Sequence, residues 1–384
     1  SASTSSPRER ETRGKFSGFS GFWKGENRMP DAKGKRVLYI ELLRVIAAAA
    51  VVMLHIIAGL VRNYAVSTAD WDICVILGSE IRWCIPLFFM ISGAVFLDRE
   101  QHLPLKTMLG KYVLRLLTAL AVWGTFFYFF ELWIYGQPVT MKNVVLAPPA
   151  VLAGKAGYHL WYLYALIPIY LLIPALKAFT DHSTKEQQRS LLVILFTLSS
   201  IFPLFNSVAG QIPQTRGAIS IGVSLPEAFA YVACVLAGNY VAHFDLDSSE
   251  EKILRLIAIF SILCMPVGNI VLSVLKNDLE FSLSEYSGIC SVSVAGWLFA
   301  WAKRQEEYLQ NHPMGKTALK IGGSCFGIYL LHVFFVSILF HKLPVPWGKI
   351  NAMAAVLTGT PVVFAASYVL TRMMKKIPFF RRIL

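Results

Sequence analysis

The sequence predicts an all-α polytopic membrane protein of about ten transmembrane helices with both termini in the cytosol. Three observations carry that expectation. The chain of 384 residues is 55% hydrophobic and only 15% charged, where soluble domains run near 25% charged. Its mean hydropathy is +0.55. Apolar runs of roughly 20 residues, the length that crosses the hydrocarbon layer, recur from residue 38 onward.

Taken in order, the expected spans are 38–62, 73–97, 112–135, 159–176, 190–206, 224–243, 253–275, 286–302, 318–341 and 350–371. The run at 190–206 carries the weakest signal, being short and ending in "FPLF". Residues 136–158 read as an outer segment with a short surface helix. Residues 207–223 read as irregular from their Gly and Pro content. The domain reading is a disordered basic tail over 1–37, a membrane domain over 38–373 and a basic tail over 374–384. Met29 reads as a native start, with residues 1–28 as an addition ahead of it.

The net charge of +13 invites a nucleic-acid reading, but the placement of the cations excludes it. With a cytosolic N-terminus, inner segments carry 26 Lys and Arg and outer segments 7, while Arg44, Arg82 and Arg115 fall in or at the edge of spans. That asymmetry is the positive-inside rule at work, and a miscounted span would scramble it. Arg82 with Glu80 reads as a pair snorkelling toward the outer edge. The six cysteines form no CxxC or other metal spacing, so they read as small apolar packing and no metal is expected. A Cys74–Cys290 disulfide stays open.

The first span, "IELLRVIAAAAVVMLHI", raises the functional question, because Arg44 and His55 lie inside it. An arginine near the bilayer centre costs on the order of 2.5–3.5 kcal/mol. Eleven residues at about 100° each amount to three turns plus roughly 20°, so both side chains leave one face, ~16 Å apart along the axis. Glu41 falls close to that stripe. Such a stripe must face protein or a wet cavity, and imidazole is the side chain suited to proton transfer near neutral pH. The bland account is an interfacial Glu41–Arg44 ion pair and a histidine bonded to a neighbouring helix.

An arginine, ten residues and a histidine resembles the signature of the acyltransferase-3 family, integral membrane enzymes that acylate carbohydrates and other acceptors. Three further runs are similar in order: "IPLFFMISGAVFL" from Ile85, "YHLWYLYAL" from Tyr158 and "SCFGIYLLH" from Ser324. The similarity covers the whole membrane region. It departs at the third span, where paired arginines with a proline are usual and this chain has "KYVLRLLTAL" from Lys111.

The resemblance implies a transmembrane O-acyltransferase of the bacterial inner membrane. It would move an acetyl group from cytosolic acetyl-coenzyme A to a hydroxyl of an extracytoplasmic carbohydrate or glycolipid, with a succinyl donor left open. On that basis His55 is the expected general base, Arg44, nearer the cytosol, positions the donor or stabilises charge, and Glu41 completes the catalytic set. Ser92 and Gly93 would make room for the acyl group, the hydroxyl serving the oxyanion. Arg115 and Lys111 would meet the coenzyme phosphates. His159, Trp161, Tyr329 and His332 would meet the acceptor. The competing reading is a membrane carrier or flippase that uses the buried Glu/Arg/His stripe as a proton or substrate pathway.

Overall fold

The computed structural model describes residues 37–99, 103–211 and 220–384; of the tail expected over 1–37, all but Val37 lies outside the described residues. The described residues form helices and no strand. The first helix, α1 (Leu38–Leu60), is the centre of the bundle. Its run of four alanines, Ala47 to Ala50, lets neighbours approach closely, and it packs against seven other helices.

The second span breaks in two: α2 (Ala69–Glu80) and α3 (Cys84–Phe96) flank a turn at residues 81–83. Pro86 causes the break. A helical proline clashes with the carbonyl four residues earlier, here that of Arg82, which keeps only a stretched 3.5 Å bond from the Ile85 amide. The third span, α4 (Leu105–Ile134), contains two wide π segments. It is followed by the short apolar α5 (Met141–Leu152), the surface helix expected between the third and fourth spans. Next come α6 (Trp161–His182), opened by a 3-10 turn at Tyr158–Leu160, and α7 (Lys185–Gly210). α7 takes in the weakest expected span and carries the helix into the segment expected to be irregular.

α8 (Glu227–His243) and α9 (Ser248–Lys276) follow. α9 is polar inside and apolar outside. Its buried positions include Ser261, Asn269 and Ser273, while Ile253, Phe260, Leu263, Val267 and Leu275 are exposed. A soluble helix would be built the other way round, so this pattern belongs to a helix whose outer face meets lipid. Asn269 donates to Ser79 at 3.0 Å and to Ser284 at 2.8 Å, and accepts from the Leu283 amide.

The remaining helices are α10 (Ile289–Arg304), α11 (Glu306–Asn311), α12 (Pro313–Gly322), α13 (Cys325–His341), α14 (Ala352–Met374) and α15 (Pro378–Ile383). α12 and α13 meet at a 67° bend. The bend frees the Gly323 carbonyl, which Lys375 Nζ caps at 2.5 Å.

Among the described residues, seven helices are long and apolar enough to cross a bilayer, or eight if the bent α12–α13 pair is one span. The expected count of ten is therefore not reached by length. The difference lies in α8 and α10, whose 17 and 16 residues give rods of about 25 Å, short of the roughly 30 Å hydrocarbon layer. All six cysteines are free, so Cys74 and Cys290 are not bridged.

Candidate active site

At the end of the bundle where α1 begins, a cavity of about 500 Å³ opens between α1, α3, α4, α6, the α12–α13 bend and α14. Six cations line it: Arg44, Arg115, Lys320, Arg372, Lys375 and Arg381. Among the described residues no Asp or Glu side chain joins the lining. Such a wall concentrates anions, and the volume suits a small organic ligand. Sequence reasoning brought only Arg44 and Arg115 to this place. The other four had been read as ordinary positive-inside residues. Their convergence depends on the bend at Gly322–Ser324 and on the fold-back of α15, neither of which has a local sequence signal.

Arg44 is 18% exposed and pairs with Glu41, 2% exposed, at 2.6 Å. The ion pair of the bland reading therefore exists, and its cation also lines the cavity. Gly322 packs so closely on Glu41 that a Cβ there would lie 2.0 Å from its Oε2. Arg115 rests against the Phe326 ring at 5.1 Å, and its Nε has no hydrogen-bond partner. Lys111, expected to share the coenzyme contact, is exposed, lies over Tyr112 and is not in the lining.

Ser92 lines the cavity but gives its hydroxyl proton to the Phe88 carbonyl at 3.1 Å, so it presents an acceptor there rather than the expected oxyanion donor. Tyr162 and Tyr170 line the same wall. Gly93 is not in the pocket expected for it. It marks the crossing of α3 and α8, where a Cβ would sit 1.8 Å from the Val235 carbonyl oxygen, and Gly238 reciprocates against the Met90 carbonyl at 1.9 Å.

Tyr162 and Tyr329 close the far end of the cavity, their rings 5.8 Å apart. One helical turn beyond Tyr329 the structure brings three histidines from three helices together. The His55 and His332 rings lie 4.9 Å apart and those of His332 and His159 5.5 Å apart. His332 is fully buried, and its Nδ1 faces the Tyr329 carbonyl at 2.7 Å and the Ile328 carbonyl at 3.3 Å. A nitrogen between two carbonyls must carry the proton, which leaves Nε2 as a lone pair without a protein partner. His159 is buried against Phe127 with both ring nitrogens unpartnered, and its backbone carbonyl accepts from the Tyr329 hydroxyl at 2.6 Å.

His55 is half-buried, and its ring meets Tyr158 at 5.3 Å. Tyr158 is 57% exposed and links the cluster to the opposite end of the bundle. It was quoted within "YHLWYLYAL" but not singled out. Among the described residues no group of His, Cys, Asp or Glu converges in a way that could hold a metal ion. The acceptor residues expected together divide in two. His159, Tyr329 and His332 join His55, whereas Trp161 stacks on Tyr286 at 5.7 Å in a separate aromatic group.

That second group contains the clearest departure from expectation. Arg82 does not pair with Glu80. Its guanidinium lies between Tyr286 and Phe281, 4.3 and 4.7 Å from the ring centroids. Partial desolvation raises the nearby Glu285 carboxyl above its usual range, while the charge of Arg82 draws it back.

A family model described as an acyltransferase domain matches residues 37–372. No curated protein and no solved structure matches the chain.

Proposed function

The chain belongs to the acyltransferase-3 family, and from that premise we propose that this membrane acyltransferase moves an acetyl group from cytosolic acetyl-coenzyme A to a hydroxyl of an extracytoplasmic carbohydrate. One observation supports the reading above the others. A cavity walled by six cations ends at Tyr329, one helical turn from a histidine cluster that leads to the other end of the bundle.

Coenzyme A is a polyanion on a long thin arm. Its phosphates suit the mouth formed by Arg115, Lys320, Arg372, Lys375 and Arg381, and its arm suits a narrowing cavity that ends at two tyrosines. His55 is half-buried and reachable from the side of Tyr158, so it takes the proton of the acceptor hydroxyl as that oxygen attacks the thioester carbon. The C–O bond forms, the C–S bond breaks, and the proton held by His55 returns to the departing thiolate. His332, with its tautomer fixed by the backbone, offers a lone pair that orients the hydroxyl beside His55. For the thioester to meet His55, the Tyr162–Tyr329 wall must open. The multi-pass fold and this orientation fit a bacterial cytoplasmic membrane.

The test is thiol release from acetyl-coenzyme A by the purified chain with a mixed surface polysaccharide. Turnover is expected in the wild type, lost in His55→Ala and retained in His182→Ala, whose residue is exposed at the basic end. A wild-type protein that moves a solute across vesicles without consuming acetyl-coenzyme A would instead establish the carrier reading.

A further inference from the structure

Arg82 stands in the middle of a membrane-spanning segment, at the break between α2 and α3 in the span Ala69–Phe96. Among the described residues it makes no ion pair, and its buried Nε has no hydrogen-bond partner. What holds it is the pair of ring faces of Tyr286 and Phe281. Stacking of this kind uses the face of the guanidinium and leaves its five N–H donors radiating in plane. Glu285, exposed in the loop before α10, feels the Arg82 charge without reaching ion-pair distance, and intramembrane charges of this kind mark substrate paths.

The fold fixes the loop that carries the two rings. Asn269 lies seven residues before the end of α9, about 10 Å along the helix. By bonding Ser284 and the Leu283 amide it draws the following loop down to that level. α10 therefore starts low and is only 16 residues long, and the 17-residue α8 beside it is short as well. These two short helices pack side by side, and their first turns lie at the end of the bundle opposite the basic cavity. Arg82, Tyr286, Trp161 and Tyr231 lie together there: Tyr286 stacks on Trp161, and Trp161 packs beside Tyr231. Glu227 accepts from the Tyr231 hydroxyl, and Glu285 is exposed.

We infer that Arg82 with Tyr286 and Trp161 forms an acceptor subsite for a glycan that carries an anionic group, a carboxylate or a phosphate, on a unit next to the one acylated. The aromatic rings give apolar surface for a pyranose, Glu285 accepts from its hydroxyls, and the in-plane donors of Arg82 clamp the anion in a fork. This rests on the acyltransfer reading for its physiological meaning but not for its test.

The test is binding by the full chain in nanodiscs, read by tryptophan fluorescence with Trp161→Phe as the reporter control. The probes are a glucuronate-containing tetrasaccharide, a glucose tetrasaccharide of equal length and glucose 6-phosphate. The charged sugars are expected to bind about tenfold more tightly than the neutral one at low salt, a preference that shrinks with added salt. The tighter of the two charged probes identifies carboxylate or phosphate. Arg82→Gln is expected to abolish the preference, and Arg82→Lys to restore it in part. Unchanged coenzyme A binding in each variant checks the fold, since the basic cavity lies at the opposite end. Equal affinity for charged and neutral probes, or a preference that survives in Arg82→Gln, overturns the inference. A charge preference without acetyl transfer would keep the subsite and remove the acyltransfer reading, and the converse result would do the reverse.

Discussion

Replacing Gly93 by alanine separates the helix crossing seen in the structure from the acyl-group room expected of this residue. A Cβ at this position would lie 1.8 Å from the Val235 carbonyl oxygen, 2.6 Å from its carbon and 3.0 Å from its Cα. All three atoms are backbone, so no side-chain rotation relieves the contact. Restoring an ordinary C···O separation requires the two helices to part by about 1.5 Å. Cores packed to crystal-like density resist such a shift, and overpacking of this kind typically costs about 1–3 kcal/mol. Gly238 makes the reciprocal contact with the Met90 carbonyl at 1.9 Å, so one displacement would relieve both. Gly93→Ala and Gly238→Ala should each lower the thermal midpoint of the detergent-solubilised protein by several degrees. The double variant should fall well short of the sum, because sites that share one displacement are coupled. Donor chain-length preference should stay the same at temperatures where the fold holds. An unchanged midpoint in Gly93→Ala, accompanied by a shift from acetyl toward smaller or larger donors, would refute the crossing and restore the acyl-pocket role.

Two further outcomes follow from the site. Arg115→Gln removes a cavity-lining cation whose Nε has no protein partner. It should raise the KM for acetyl-coenzyme A by roughly 10–100-fold, the range of a lost charge-assisted hydrogen bond, and leave kcat nearly unchanged. Lys111→Gln, at an exposed position off the cavity, should leave both alone; steady-state thiol release measures the contrast. For Glu285, whose carboxyl is raised chiefly by desolvation, the linkage has a definite sign. The folded state binds the proton more tightly than the unfolded state, so stability is fully present below the unfolded carboxyl range near 4.3 and falls as pH rises through the higher folded value. Glu285→Gln should raise the thermal midpoint at neutral pH and make no difference below about pH 4. A variant that gains nothing at neutral pH would contradict that sign.

Much of the architecture was legible because bilayer thickness imposes a length on apolar runs, and α1, α4, α6, α7, α9 and α14 match the runs expected for them. The stripe on α1 was equally legible, since three turns of helix fix the relation of Arg44 to His55 whatever the neighbours do. What could not be read is what arrives from elsewhere. Lys320, Arg372, Lys375 and Arg381 meet at one cavity through a bend and a fold-back, and a topological excess of lysine and arginine hides such a convergence. Gly93 and Ser92 are adjacent in sequence yet serve different surfaces, because neighbours on a helix point about 100° apart. The break at Pro86 has a consequence, a guanidinium held between two rings, that depends on a loop two hundred residues away. The lengths of α8 and α10 likewise depend on where Asn269 anchors that loop.

The two tyrosines between the basic cavity and the histidine cluster have a consequence for the cell that owns this protein. Membranes store energy as ion gradients, and any continuous thread of water from one face to the other would short-circuit them. A polar inlet on one side and the exposed Tyr158 with the histidines behind it on the other are held apart here by Tyr162 and Tyr329, whose rings meet edge to face, with Phe89 packed against Tyr162. On the proposed reading, a partition one side chain thick would yield to the slender arm of the donor and close behind it, so that an acyl group crosses the barrier while protons do not.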